Sequence, residues 1–376
     1  MNAPRSRQAN LPLNKACLSG DFLLVKEFLQ DCTDVSKEIN VRDAFGRTPF
    51  TQACVGGNLE IIKFLIELGA DESLTYINGY TALMAASANG QLEVVKFLLD
   101  RGEDINRTTQ YGASALYETC TDGQLAVLDV NPEKRFAIAE FLIAEGADVH
   151  TTTTRNGTPL SKACEIGHLK LASLLMSKGA TINTVDSEGM SPLIYACKKH
   201  HMELITLLLE RGADATVVDE FSGGPLVIAS EWGQVDLVKR LISLGADINA
   251  VGDRGETALL NACREGHVEI AELLINNGAD VNAAHDVIGT PLIQTSGRRQ
   301  LELVKQLVNK GADVNAICER GQTPLIKACR AGDLTEVAFL IENGVDITMK
   351  GEGGFTALDI AREKGYNEIE ALLIQN

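Results

Sequence analysis

Five arginines (Arg254, Arg264, Arg298, Arg320 and Arg330) and five aromatics (Phe45, Tyr80, Tyr111, Phe221 and Trp232) are the residues of this chain whose types and spacing could do chemistry. That chemistry is recognition. A guanidinium is a planar fork that grips carboxylate or phosphate through two N–H donors at once. Large aromatics and arginine dominate interface energetics, often losing ~2 kcal/mol or more when truncated at a central site. In a chain of net charge −17, arginines returning at matching positions predict a stripe that recognises acidic groups, with Lys198 and Lys199 as its extension. The alternative is a solvated mixed-charge face, because Asp253, Glu256, Glu265 and Glu319 are interleaved with them and exposed pairs contribute only ~0–1 kcal/mol. Trp232, just before Gly233, is the leading anchor; its alternative is ordinary surface cover over Glu231.

Catalytic chemistry finds no footing. The chain has no Gly-x-x-x-x-Gly-Lys, no His-Glu-x-x-His and no nucleophile elbow. No Cys-x-x-Cys or Cys/His pair stands at ligand spacing. The expectation is no enzyme, no catalytic residue, no cofactor and no metal.

The elements that must position these residues follow from a repeat. The anchors Thr48, Thr81, Ser114, Thr158, Ser191, Gly224, Thr257, Thr290, Thr323 and Thr356 follow a degenerate first copy at Leu11-Pro12-Leu13, and from Thr158 onward they are spaced 33 residues apart. A fixed period of this length means a stacked array. Thr caps a first helix, and Pro next to it (Pro49, Pro159, Pro192, Pro291, Pro324) loses no hydrogen bond there. A Gly closes that helix; a second, amphipathic helix such as the one around Val94-Val95 and Phe97-Leu98-Leu99 stops at another Gly. His200 and Arg299 stand where the other copies close the first helix with Gly, which costs roughly 1 kcal/mol if the left-handed turn is kept. Gly224 replaces the capping Thr, losing about 1 kcal/mol locally.

Gly-x-Thr-Pro-Leu, Ala-Cys-x-x-Gly-His and Leu-Leu-x-x-Gly-Ala-Asp-Val-Asn together resemble the ankyrin repeat, over about residues 9–376. The resemblance implies an all-α repeat solenoid: stacked helix-turn-helix units with short projecting β-turn fingers. The family's His after Thr-Pro-Leu is replaced, for example by Thr51, Met84 and Tyr117. His168 and His267 match the family's Gly-His turn, where the imidazole bonds the backbone of an adjacent repeat. The division expected is a tail at 1–8 and one domain at 9–376, with units 9–42 (N-terminal cap), 43–75, 76–108, 109–152 with an insertion at 125–135, 153–185, 186–218, 219–251, 252–284, 285–317, 318–350 and 351–376 (C-terminal cap). The insertion reads as a protruding loop that could lengthen the first helix by a turn. Arg362 in the last copy, where a small core residue usually sits, implies that no further repeat packs there. Binding by finger tips and the exposed face of the first helix implies a protein–protein interaction scaffold or adaptor that holds a protein or peptide with acidic and apolar groups along its concave face. A small nucleotide-like anion, or recruitment by a targeting subunit or microbial effector, is the alternative.

Composition sets limits on partners. The acidic balance argues against nonspecific nucleic-acid or anionic-membrane binding, and no run of 18 apolar residues or signal-peptide core is present. Seven of nine cysteines (Cys17, Cys54, Cys120, Cys164, Cys197, Cys263, Cys329) fall on one repeat position. Stacked helices place such positions ~8–10 Å apart, beyond disulfide reach. Free thiols imply a reducing, cytoplasmic setting, with a secreted effector as the remaining alternative. The chain is expected to be monomeric.

Overall fold

A computed structural model describes residues 11–121, 131–219 and 221–376. Every regular element among them is helical; the extended pairings are isolated bridges such as Thr108 with Ser114 and Val251 with Thr257. The chain is an all-α repeat solenoid that packs as two compact units: residues up to Ser187 with Lys199–Ala213, and Glu188–Lys198 with Asp214–Asn376.

In the first unit the first helices of successive repeats (Leu11–Ser19, Pro49–Gly56, Ala82–Ala88, Ala115–Thr119, Pro159–Glu165) lie side by side in order. The second helices, including Leu92–Asp100, Pro132–Ala144, Leu169–Ser177 and Met202–Glu210, form the layer behind them. The second unit repeats the arrangement with first helices Pro192–Lys198, Pro225–Glu231, Ala258–Glu265, Pro291–Thr295, Pro324–Ala331 and Ala357–Lys364.

The local code works as its residues dictate. Thr48 Oγ1 accepts the Thr51 N–H at 3.2 Å while Thr51 Oγ1 takes the Thr48 N–H at 2.9 Å, a reciprocal cap ahead of Pro49. Gly224 offers no such side chain and its helix starts uncapped. Each turn Asn then clips its neighbour: Asn249 Nδ2 donates to the Gly278 carbonyl and its Oδ1 accepts the Asp280 N–H at 2.8 Å. The repeat-position cysteines are buried and free. Burial pushes the thiols of Cys120, Cys197 and Cys263 up to about 12, so they serve as small core residues.

Two places differ from the sequence reading. Of the expected insertion, 125–130 lies outside the described residues, but Pro132 begins a helix, because a missing N–H is harmless at a first turn. It opens Pro132–Ala144, thirteen residues against the usual nine, so the second helix is lengthened, while the first, Ala115–Thr119, has only five. His168 caps its own helix through Nδ1 and the Leu171 N–H, and stacks on Phe136 at 5.7 Å. The bond to a neighbouring repeat is made instead by His201 to the Glu165 carbonyl and by His267 to the Glu231 carbonyl at 3.0 Å. His200 and Arg299 keep the left-handed turn, at φ 61° and 60°.

No described helix is long and apolar enough to cross a membrane.

Candidate binding surfaces

The fingers of the first unit are tied tip to tip by main-chain bonds. The Ile77 N–H donates to the Phe45 carbonyl at 3.1 Å, Gln110 to Asn78 at 3.0 Å, and Thr154 to Tyr111 at 2.8 Å. Each tip is also shaped from within. Asp43 Oδ1 accepts the N–H groups of Phe45 and Arg47 at 2.9 Å. Gly46, at φ 82°, lies so close to the next finger that a Cβ would come 2.8 Å from the Ile77 nitrogen. The zipped backbone therefore has nowhere to bury its tip side chains.

Phe45, Ile77 and Tyr111 consequently stand 65%, 70% and 56% exposed on adjacent fingers. Between them and the first helices lies a cavity of about 440 Å³, lined also by Arg47, Val55, Tyr76, Tyr80 and Asn89. The Arg47 guanidinium sits 4.8 Å from the centre of the Phe45 ring and is anchored to Asp43 Oδ2 at 2.6 Å. Tyr76 and Tyr80 pack ring to ring at 5.3 Å along the floor.

Tyr80 corrects the sequence reading. It is no surface anchor: only 3% of it is exposed, and its hydroxyl donates toward Glu118 Oε2 at 3.3 Å. The residue directly before the capping Thr turns inward, so its ring supplies the cavity floor and its polar end is spent inside. Glu118 is buried too, and its carboxyl is pushed up to about 7, by desolvation first, with the Tyr80 bond and the Lys162 charge opposing.

The other two aromatics belong to the second unit. Phe221 is exposed beside Lys198, whose ammonium lies 5.9 Å from the ring centre. Trp232 ends the helix Pro225–Glu231 and is 51% exposed.

The arginines, all in that unit, do not behave alike. Arg264 is already neutralised: Nε reaches Glu265 at 2.8 Å, Nη2 Glu231 at 3.1 Å and Nη1 Glu256 at 3.2 Å. Interleaved acids, seen in the sequence as mere neighbours, here converge on one guanidinium, whose charge is already offset by three carboxylates before any ligand arrives. Arg254 falls in the short turn Asp253–Gly255. Arg320 is exposed on a finger, where its carbonyl accepts from Gln322. Arg298 and Arg330, in contrast, share a second pocket of about 340 Å³ with Gln322 and Lys327.

Sequence reasoning missed Ile77, Tyr76, Arg47 and Lys327. Ile77 was findable as an apolar residue four before its anchor Thr81, at a finger-tip register. Lys327 carried no signal, since a lysine on a helix is ordinarily solvated.

Family comparison agrees with the geometry. A family model described as ankyrin repeats in three copies matches residues 13–109, 124–219 and 292–376, and a second ankyrin-repeat model matches 226–275. Among curated proteins, the chain is 39% identical over 71 residues to the rat ankyrin repeat and SAM domain-containing protein 6, a stretch covering 19% of this chain and 8% of that protein. It is 40% identical over 60 residues to rat ankyrin repeat domain-containing protein 46, covering 16% of this chain and 25% of the other. With the human Notch-regulated ankyrin repeat-containing protein it shares 29% over 82 residues, 22% of this chain and 69% of that one. The matched stretch is thus a small part of the first two relatives.

Proposed function

This chain belongs to the ankyrin repeat family, and from that premise we propose that it is a non-catalytic scaffold or adaptor whose finger-bearing face holds a protein or peptide partner. The observation that carries the reading is the cleft at Phe45, Ile77 and Tyr111: three large apolar side chains kept in solvent by zipped fingers, above a preformed cavity. Exposed apolar clusters of this kind mark binding surfaces, and a preformed one loses little entropy on docking. An apolar or aromatic side chain of the partner fills the cavity, while Asn78 and Gln110 at its edge offer polar contacts to the partner's backbone. Phe221 and Trp232 give the second unit its own apolar contacts, and the partner's acidic groups meet Arg298 and Arg330. Nine unbridged cysteines suit work in the reducing cytoplasm.

A random peptide library selected on the full chain tests this. The expected winners share one apolar anchor and lose at least ten-fold in affinity on a Phe45→Ala, Ile77→Ala, Tyr111→Ala triple variant. Winners that bind the triple variant as tightly as the wild type remove the cleft from the binding surface.

A further inference from the structure

We infer that the pocket formed by Arg298, Lys327 and Arg330 in the second unit is a binding site for a phosphate monoester. It begins with a broken helix. The first helix of this repeat, Pro291–Thr295, has five residues where the next has eight, Pro324–Ala331. Ser296 swings to extended backbone at φ −60°, ψ 139°, then Gly297 and Arg299 take left-handed conformations at φ 75° and 60°. Gly297 lies directly on the following helix, where a Cβ would come 2.6 Å from the Lys327 carbonyl oxygen. This early unwinding brings Arg298 to the same pocket as Lys327 and Arg330.

The charges there are uncompensated in a way that those at Arg264 are not. Among the described residues none of the three cations makes an ion pair; Arg330 has only a hydrogen bond from Nη1 to Gln322 Oε1 at 3.0 Å. Burial first, and then the Arg298 charge, press the Lys327 ammonium down to about 8. The nearby carboxylate, Glu336, is itself fully buried, accepts the Gly297 N–H at 3.0 Å and is pushed upward by that burial. Three cations crowding one pocket in an acidic chain are best relieved by a compact dianion. A phosphoryl group carries nearly two charges and three acceptor oxygens, and two guanidiniums match its geometry. The group can belong to a phosphorylated side chain of a protein or to a free small phosphate ester.

Calorimetry on the full chain at low salt separates these, using a phosphoserine peptide, its unphosphorylated twin and adenosine monophosphate. A phosphorylated probe binds, and the twin binds at least ten-fold more weakly. Arg298→Gln and Arg330→Gln, both at exposed positions, each lower affinity at least ten-fold with an unchanged melting temperature, while Arg264→Gln leaves it within two-fold. In the wild type, which needs no substitution, affinity falls as pH rises through about 8, because Lys327 loses its proton there; Cys318, Glu336, Arg298 and Arg330 are the groups acting on it. Tighter binding of the phosphopeptide assigns the site to a protein partner; equal or tighter binding of the nucleotide assigns it to a free ester. Absence of saturable binding by either phosphorylated probe, or binding that survives the Arg298→Gln, Arg330→Gln pair, overturns the site. The cleft triple variant binds the probe as the wild type does, so the two surfaces are judged separately.

Discussion

Replacing Glu118 by Gln makes the protein more stable at pH 8 and leaves it nearly unchanged at pH 5. Glu118 lies behind the cleft floor, 3% exposed, and holds its proton up to about pH 7 against an ordinary 4.5 because burial penalises the anion. Between those values the folded chain binds a proton that the unfolded chain has released, so stability falls as pH rises through the window. At about 1.4 kcal/mol per pH unit, the ionised carboxylate costs roughly 3 kcal/mol above pH 7. Glutamine keeps an acceptor for the Tyr80 hydroxyl and cannot ionise. The variant should therefore exceed the wild type by about 2–3 kcal/mol at pH 8 and differ by less than about 1 kcal/mol at pH 5. Glu103 and Glu336 are also pushed upward by burial, so the difference between the two proteins, not the wild-type slope, is the measure. Repeat arrays can unfold by parts, which makes hydrogen exchange of the Ala115–Thr119 helix, followed at both pH values, the direct assay. An identical pH response in the two proteins would refute the reasoning.

Two further substitutions separate local from tertiary causes. Gly56→Ala removes a glycine from a helix, which by propensity alone stabilises by ~1 kcal/mol, yet its Cβ would meet the Leu18 carbonyl oxygen at 2.3 Å; a net loss of about 1–3 kcal/mol is expected from overpacking, read by urea denaturation. Arg264→Gln leaves Glu231, Glu256 and Glu265 facing one another without their shared cation, and should lower the melting temperature by the equivalent of about 1–2 kcal/mol, most at low salt.

The fold was legible because each repeat states its own folding rules locally. Thr at Ncap, Pro at the first turn and Gly at the helix end act through main-chain bonds only a few residues away, as at Thr48 and Pro49. Even the strained turns at His200 and Arg299 could be anticipated from a missing Gly. The insertion misled because Pro132, harmless at a first turn, opens a lengthened second helix and leaves the first with five residues.

The binding surfaces were only half legible. Phe45 and Tyr111 could be placed on finger tips by register, but Tyr80, two residues past Asn78, turns inward, and no one-dimensional pattern separates these fates. Arg264 and Arg330 occupy the same position seven residues after their anchors, yet one is quenched by carboxylates from its own repeat and the one before it and the other opens onto a basic pocket. Sequence by itself determined the period, the caps and the helical layers, because those rest on contacts short in chain distance. Only the tertiary structure decided which side chains stay open to a partner, because exposure and charge pairing are set by residues about 33 positions away, brought together when one repeat stacks on the next.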